Sequence, residues 1–402
     1  MPEDQQSPNS PSTADLVIVG GAHAGHAALR AYLKAGGTGP VILISEDDTA
    51  PYRRPPLSKD FLRGESTSDA LAMDAEDFYT GGDNELWLNE SVTSIDAGNK
   101  TLRTGSGREI TYRQCILATG SRPTPLDVPG GDTAMGLRFL SEALRLRDAA
   151  QTAASAVVIG SGFIGCEAAA SLAVRGIAVT MVSTSAGPQA KRLGPDASAL
   201  IAGWLTDAGV RMHPSSGVQD IEAGRIVRLT DGTELSADMV LNATGVTVRS
   251  ELAVEAGATM QDGRVVVDES MRTSVPGLLA AGDVALAMNV TAGRHLVVEH
   301  WNAAERMGEI AGTMAAGGDA KWAETLGFFS LIGHHMLKYA AWGDGFDEAI
   351  PVHHAGGGLT VWYVRDGVTV GVLTSEADDD LDRGRTLVLS GSKPPVEPPP
   401  GR

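Results

Sequence analysis

Apolar positions along the chain fall into short runs set off by glycine turns. DLVIVGGAHAGHAALRAYLKAGG, residues 15–37, predicts an apolar strand, a turn and an alanine-rich helix stopped by Gly36 and Gly37. SAVVIGSGFIGCEAAASLAVRGIAVTMV, residues 155–182, repeats that plan with Gly176 as the stop. The runs at 41–45 and 178–183 then supply the second strands of two βαβ crossovers. Unbroken apolarity in these strands suits a parallel sheet covered on both faces. Apolar strands ending in Ala-Thr-Gly follow each unit, at 115–120 and 240–245, and VPGLLAAGDVA follows at 275–285. Beyond about residue 320 the texture changes to alternating runs. In LTVWYVRDGVTVGVLTS, residues 359–375, Asp366-Gly367 predicts a hairpin turn in a mixed α+β region.

Length and composition narrow this picture. A chain of 402 residues, 43% hydrophobic, predicts two or three domains with ordinary cores. No apolar run reaches the length of a membrane span, so no membrane partner is expected. Residues 1–13 lack the basic and apolar regions of a signal peptide and are expected to be a disordered leader. Residues 390–402 are expected to be a disordered, Pro-rich tail. A net charge of −18 argues against nucleic acid, whose phosphates need a basic face, and fits solubility. The two cysteines, Cys115 and Cys166, lie in apolar segments and form no CxxC. They read as buried thiols of a reduced, cytoplasmic protein, not as metal ligands or a redox-active pair.

The glycine turns carry the chemistry. Gly160, Gly162 and Gly165 complete G-x-G-x-x-G between strand and helix, where backbone N–H groups can receive a pyrophosphate. The first turn reads Gly20, Gly21, Ala22, His23, Ala24, Gly25, so an alanine stands at the middle glycine. Glu46, at the end of the next strand, is placed to hydrogen-bond adenosine ribose hydroxyls. The second unit has no acid there. Ser183, Thr184 and Ser185 occupy the ribose end, with Lys191 and Arg192 a few residues on. Hydroxyls and cations admit the 2′-phosphate of NADPH as well as NADH. Lys191 and Arg192 read equally as solvated helix charges. PYRRPPLSKDFLRG, residues 51–64, is a proline-stiffened loop with Arg53, Arg54 and Lys59 as cations for a phosphate or a flavin edge. Glu167 either simply benefits from the dipole at a helix start or pairs with Lys59 across a domain junction.

Taken together, PYRRPPLSK, the two ATG turns, TSVPGLLAAGDVA and VEHWNAAERMG resemble the two-dinucleotide flavoproteins of glutathione reductase fold. Within them the chain is similar to the branch of ferredoxin and rubredoxin reductases and apoptosis-inducing factor. The resemblance covers roughly residues 14–320 well and the last domain loosely. It implies an α/β fold with two Rossmann-like domains, the FAD domain discontinuous (14–124 and 252–320) around an NAD(P) domain (125–251). A C-terminal α+β domain (321–389) follows.

The same resemblance implies roles for residues. Residues 20–25 and Glu46 would hold the ADP half of FAD, and Arg54 and Lys59 would contact FAD. Lys59 would lie near flavin N5 and pair with Glu167, the two forming the catalytic pair. Thr119 and Gly120 would pass close to FAD, with Gly245 in the matching turn of the second domain. Asp283 would bind the ribityl chain, and Trp301 would lie by the flavin ring or nicotinamide unless it is a core aromatic. Gly160, Gly162 and Gly165 would hold the nicotinamide nucleotide.

The implied activity is hydride transfer from NAD(P)H to FAD and electron delivery to a ferredoxin-type protein. A quinone, another small oxidant, or an NAD(P)H-sensing role are the alternatives, and a homodimer is compatible with all of them. The chain departs from its relatives at GFFSLIGHHMLKYAAWG, residues 327–343. There Phe329 and Leu331 replace the Trp and Asp of a Phe-Trp-Ser-Asp-type motif.

Overall fold

The computed structural model describes residues 12–297 and 299–395. Of the expected leader, Ser12 and Thr13 begin a strand, and the rest lies outside the described residues. Of the expected tail, Ser390 closes a helix and residues 396–402 lie outside them. The chain divides into two compact units. One comprises Met1–Arg53, Ala72–Ser121 and Val248–Glu324; the other comprises Arg54–Leu71, Arg122–Thr247 and Thr325–Arg402.

The first unit is built on a parallel sheet. Its strands Asn84–Trp87, Val41–Ile44, Ser12–Val19 and Glu109–Leu117 lie side by side in that order. Every residue of Val41–Ile44 is buried, as an unbroken apolar run requires. The long strand Glu109–Leu117 serves two partners. Its first half pairs antiparallel with Thr101–Thr104, and its last residues pair parallel with Leu278–Ala280. Leu278–Ala280 is the strand of the LLAAGD segment, so a distant stretch completes the sheet.

The helix His23–Lys34 packs along the helix Trp301–Ala315. Gly308 and Gly312 make that approach close, since a Cβ on either would collide with the carbonyl oxygens of Ala24 and Ala28. Small residues on both helices therefore set their distance.

The second unit repeats the motif. Its parallel sheet orders Arg211–His213, Ala178–Val182, Ser155–Ile159 and Met239–Asn242. The helix Phe163–Val174 follows the strand Ser155–Ile159 through the intact glycine turn. A further helical stretch, Ala190–Asp207, breaks at Gly194, where φ is 81°, and restarts at Pro195. Proline suits the first turn of the restarted helix because its missing N–H has no partner to lose.

The same unit contains a five-stranded antiparallel sheet. Its order is Leu326–Ile332, His335–Ala341, Val368–Ser375, Leu359–Arg365, Glu348–His353. The helix Asp378–Ser390 packs on it, with Gly384 against Val372. The hairpin expected at Asp366-Gly367 is present, both residues at positive φ (52° and 75°). No helix among the described residues is long and apolar enough to cross a membrane.

Candidate active site

The two glycine turns have the same construction. Gly20 and Gly160 take φ of 122° and 110°, and a Cβ on either would strike the backbone of Ala118 or Ala243. A Cβ on Gly25 would strike the Gly20 carbonyl oxygen, and one on Gly165 would strike that of Gly160. These glycines let strand, turn and helix pack at backbone distance. Ala22 and Gly162 are the N-cap residues of the two helices. Ala22 has φ −100° and ψ −162°, and Gly162 has φ −70° and ψ 176°. Both are extended conformations open to any residue. Ala22 therefore replaces a glycine where the backbone does not require one.

Neither N-cap side chain bonds its helix, and neither first turn carries an acid. The opening N–H groups of each helix have no intrahelical acceptor, so each turn offers an anion a set of aligned donors. That donor set fits a dinucleotide pyrophosphate at both turns, the one at residues 20–25, with His23 and Ala24 in the first helical turn, where FAD is expected, and the one at 160–165, where a nicotinamide nucleotide is expected.

In the first unit, Glu46, Thr119, Gly120, Asp283 and Trp301 of the expected FAD residues are held by near neighbours; Arg54 and Lys59 belong to the second unit. Thr119 Oγ1 donates to the Arg249 carbonyl oxygen at 2.6 Å, and Arg249 N donates to the Gly120 carbonyl oxygen at 3.0 Å. The Arg249 guanidinium pairs with the Glu46 carboxylate. Arg249 thus links the Ala-Thr-Gly turn to the expected ribose ligand, a partner that periodicity does not reveal. Ser121 Oγ donates to Asp283 Oδ2 at 2.6 Å and orients its carboxylate. The rings of Trp301 and His23 lie 5.9 Å apart, so Trp301 stands beside the first turn.

His26, one helical turn on, is buried with Tyr79 OH at 3.0 Å from Nδ1 and Asp74 at 3.5 Å from Nε2. Burial is the largest influence on it and lowers its pKa, against the opposing pull of Asp74.

In the second unit, Lys59 Nζ meets Glu167 Oε2 at 2.6 Å, both side chains buried. Of the two readings of Glu167, the ion pair is the one present, though it was expected across a domain junction. In the structure the segment Arg54–Leu71 packs with the second unit, so the pair is internal to that unit. Its neighbour Arg54 lies over the Phe139 ring at 5.3 Å.

At the ribose end, Ser183 Oγ is 2.8 Å from Ser161 Oγ and accepts from Ser185 N at 3.0 Å. These serines edge a cavity of about 340 Å³, otherwise lined mainly by apolar side chains such as Met181, Met212 and Ala199. Arg192 lies over the rings of Phe163 and Phe328, at 6.0 and 5.8 Å. Lys191 is exposed. Gly245, at φ 129°, accepts from Thr124 N at 3.0 Å.

Cys115 and Cys166 are free and buried, and burial pushes both thiols well above the ordinary range. Neither is a thiolate nucleophile or half of a disulfide.

Comparison with known proteins agrees with this construction. Residues 14–308 match the family model for pyridine nucleotide-disulphide oxidoreductases. A rubredoxin-NAD(+) reductase of Pseudomonas putida is 33% identical over 308 residues, covering 75% of this chain and 80% of the relative. A ferredoxin reductase subunit of 5,5′-dehydrodivanillate O-demethylase from Sphingobium is 34% identical, covering 94% of both chains. Among solved structures, a covalent putidaredoxin reductase–putidaredoxin complex superimposes with TM-score 0.89 at 27% identity, covering 95% of this chain and 94% of that one. With two glycine-turn units, a C-terminal α+β sheet and no disulfide, the chain belongs to the pyridine nucleotide-disulphide oxidoreductase family, as an FAD-dependent NAD(P)H oxidoreductase akin to the rubredoxin and ferredoxin reductases.

Proposed function

We propose that this protein draws electrons from NAD(P)H and passes them to a ferredoxin-type iron–sulfur protein. The observation that carries the reading is the pair of matching pyrophosphate turns accompanied by a buried Lys59–Glu167 pair and no usable thiol. Bound FAD would supply the redox chemistry, accepting a hydride and releasing electrons onward. The chain supplies position. Residues 20–25 and Glu46 hold the ADP half of FAD, and Asp283, oriented by Ser121, holds the ribityl chain. Thr119 and Gly120 would pass close to FAD, and Arg54 and Trp301 would add contacts to it. Gly160, Gly162 and Gly165 hold the nicotinamide nucleotide, with Gly245 in the turn beside it. Lys59, held by Glu167, would offer a cation to the flavin's N5 edge.

The functional domain limits proposed are those of the sequence: 14–124 with 252–320 for FAD, 125–251 for NAD(P), and 321–389 for the C-terminal domain. A cytoplasmic location and a homodimer belong to the same proposal. So does use of both NADH and NADPH, supported by neutral Ser183 at the ribose end.

A ferredoxin-type acceptor is supported by the relatives, a rubredoxin reductase and a ferredoxin reductase subunit. A small oxidant such as a quinone is the second reading. It is favoured by Phe329 and Leu331 at the departing motif and by the charge of −18, which repels acidic carriers at long range.

The test is cytochrome c reduction with NAD(P)H, with and without an added ferredoxin or rubredoxin. Strong dependence on the iron–sulfur protein is expected. Fast quinone reduction with no response to any such carrier selects the second reading, and slow turnover with every acceptor selects NAD(P)H sensing.

A further inference from the structure

Glu167 is held from more sides than an ion pair needs. Ser58 Oγ and Lys59 Nζ both donate to Oε2, each at 2.6 Å, and Ser330 Oγ donates to Oε1 at 2.7 Å. All four residues are buried, Ser330 with 1% of its surface exposed. An ionised carboxylate only accepts hydrogen bonds and has room for about four. Here donors reach both of its oxygens.

The donors come from separate places. Ser58 and Lys59 lie in the proline loop, whose backbone is fastened to the same helix as Glu167. Ser171 Oγ donates to the Ser58 carbonyl oxygen at 2.8 Å. Lys59 Nζ also donates to the Pro55 carbonyl oxygen at 2.9 Å. Ser330 comes from the strand Leu326–Ile332. On that strand Phe328 and Ser330 share one face, as alternate residues must. Phe328 meets Phe163, the first residue of the nucleotide-turn helix, edge-on at 5.0 Å. Phe329 points the other way and is 39% exposed. The aromatic contact and the hydroxyl thus join the strand to the helix.

The terminal torsion of a glutamate is broad and roughly two-fold. Donors at Oε2 alone leave the carboxylate plane free to swing about that oxygen. A donor at Oε1 fixes the plane, and with it the direction in which the Lys59 ammonium is held.

We propose that Ser330 is a positioning residue of the Lys59–Glu167 pair: it locks the Glu167 carboxylate from the C-terminal sheet, so that Lys59 keeps one orientation for flavin reduction. This rests on the reading that Lys59 acts at the flavin. It also gives the departing motif a retained function, since its serine remains where its Trp and Asp positions hold Phe329 and Leu331.

The test compares wild type, Ser330→Ala and Ser330→Thr as purified holoenzymes, checked for equal FAD content and melting temperature. Two readouts are taken. One is acetylation of Lys59 by an N-hydroxysuccinimide ester, followed by peptide mass spectrometry with exposed Lys191 as the internal reference. The other is the rate of flavin bleaching at saturating NAD(P)H. Ser330→Ala is expected to raise Lys59 labelling several-fold and slow bleaching about tenfold, with KM unchanged. Ser330→Thr, which keeps the hydroxyl, is expected to restore both. In a Glu167→Gln background the added Ser330→Ala change is expected to have little further effect on bleaching. If Ser330→Ala does not fold, Ser330→Cys, close in shape but a weak donor, makes the same comparison. Wild-type labelling and wild-type bleaching in the alanine (or cysteine) variant overturn the positioning role. Wild-type protein that NAD(P)H does not bleach overturns instead the functional reading on which it rests.

Discussion

Lys59 Nζ and Glu167 Oε2 lie 2.6 Å apart, with 9% of the lysine side chain and 3% of the glutamate side chain exposed. A pair so withdrawn from water is costly to break, because the surviving charge stays buried. Lys59→Met is therefore expected to destabilise the protein by about 3–5 kcal/mol in urea unfolding, with Lys59→Met/Glu167→Leu recovering much of the loss. A single variant within about 1 kcal/mol of wild type would show that the pair behaves as a solvated one.

Ala22 makes a second prediction. Its backbone is extended, with φ −100°, so glycine offers no conformational relief. Ala22→Gly is expected to leave the FAD dissociation constant within about threefold, well under the ~1.4 kcal/mol of a tenfold change. Gly25→Ala, whose Cβ would meet the Gly20 carbonyl oxygen, is expected to yield protein without FAD. Fluorescence titration of released flavin measures both. A tenfold tightening in Ala22→Gly would mean that the methyl does crowd the phosphate.

The ribose end predicts a change in nucleotide choice. Ser183 Oγ lies 2.8 Å from Ser161 Oγ of the glycine turn. A carboxylate there would repel a 2′-phosphate, and two like unit charges about 5 Å apart cost about 3 kcal/mol at an effective dielectric constant of about 20. Ser183→Glu should then lower kcat/KM for NADPH about 100-fold and spare NADH. Arg192→Ala should change the NADPH/NADH ratio little, because its guanidinium lies over Phe163 and Phe328. Loss of NADPH activity in the Arg192 variant, with none in Ser183→Glu, would reverse the assignment.

Stability should also depend on pH through His26. Its folded pKa is lowered from 6.5, chiefly by burial, with Asp74 raising it and Arg30 lowering it. The unfolded chain therefore binds more protons in the window below 6.5, and stability rises with pH there. The contribution is full above pH about 6.5 and is lost as pH falls toward the folded value. The melting temperature of wild type should drop between about pH 6.5 and 5 more steeply than that of His26→Gln. Parallel curves would assign the acid sensitivity to other groups.

Much of the scaffold was legible because it rests on local spacing. Apolar runs of strand length, glycines at fixed offsets and the alanine-rich helices announced both crossovers, and Asp366-Gly367 announced its hairpin. The construction of the two turns was legible where a glycine is demanded sterically, as at Gly20, Gly25, Gly160 and Gly165. What escaped were partners distant in sequence. Ser330 reaches Glu167 and Arg249 reaches Glu46 only because the chain folds back on itself, and no periodicity encodes those distances. The placement of Arg192 escaped for a related reason. Gly194 breaks the helical stretch just after it, so helical spacing does not say which way its side chain turns.

Electron flow from NAD(P)H through bound FAD is tested most directly by an anaerobic titration of the purified yellow protein with NADH and with NADPH, followed by flavin absorbance. About one equivalent of reduced nucleotide is expected to bleach the bound FAD, and an added ferredoxin-type carrier is expected to restore the colour. Protein that carries no flavin, or whose flavin keeps its full absorbance with both nucleotides, would contradict it.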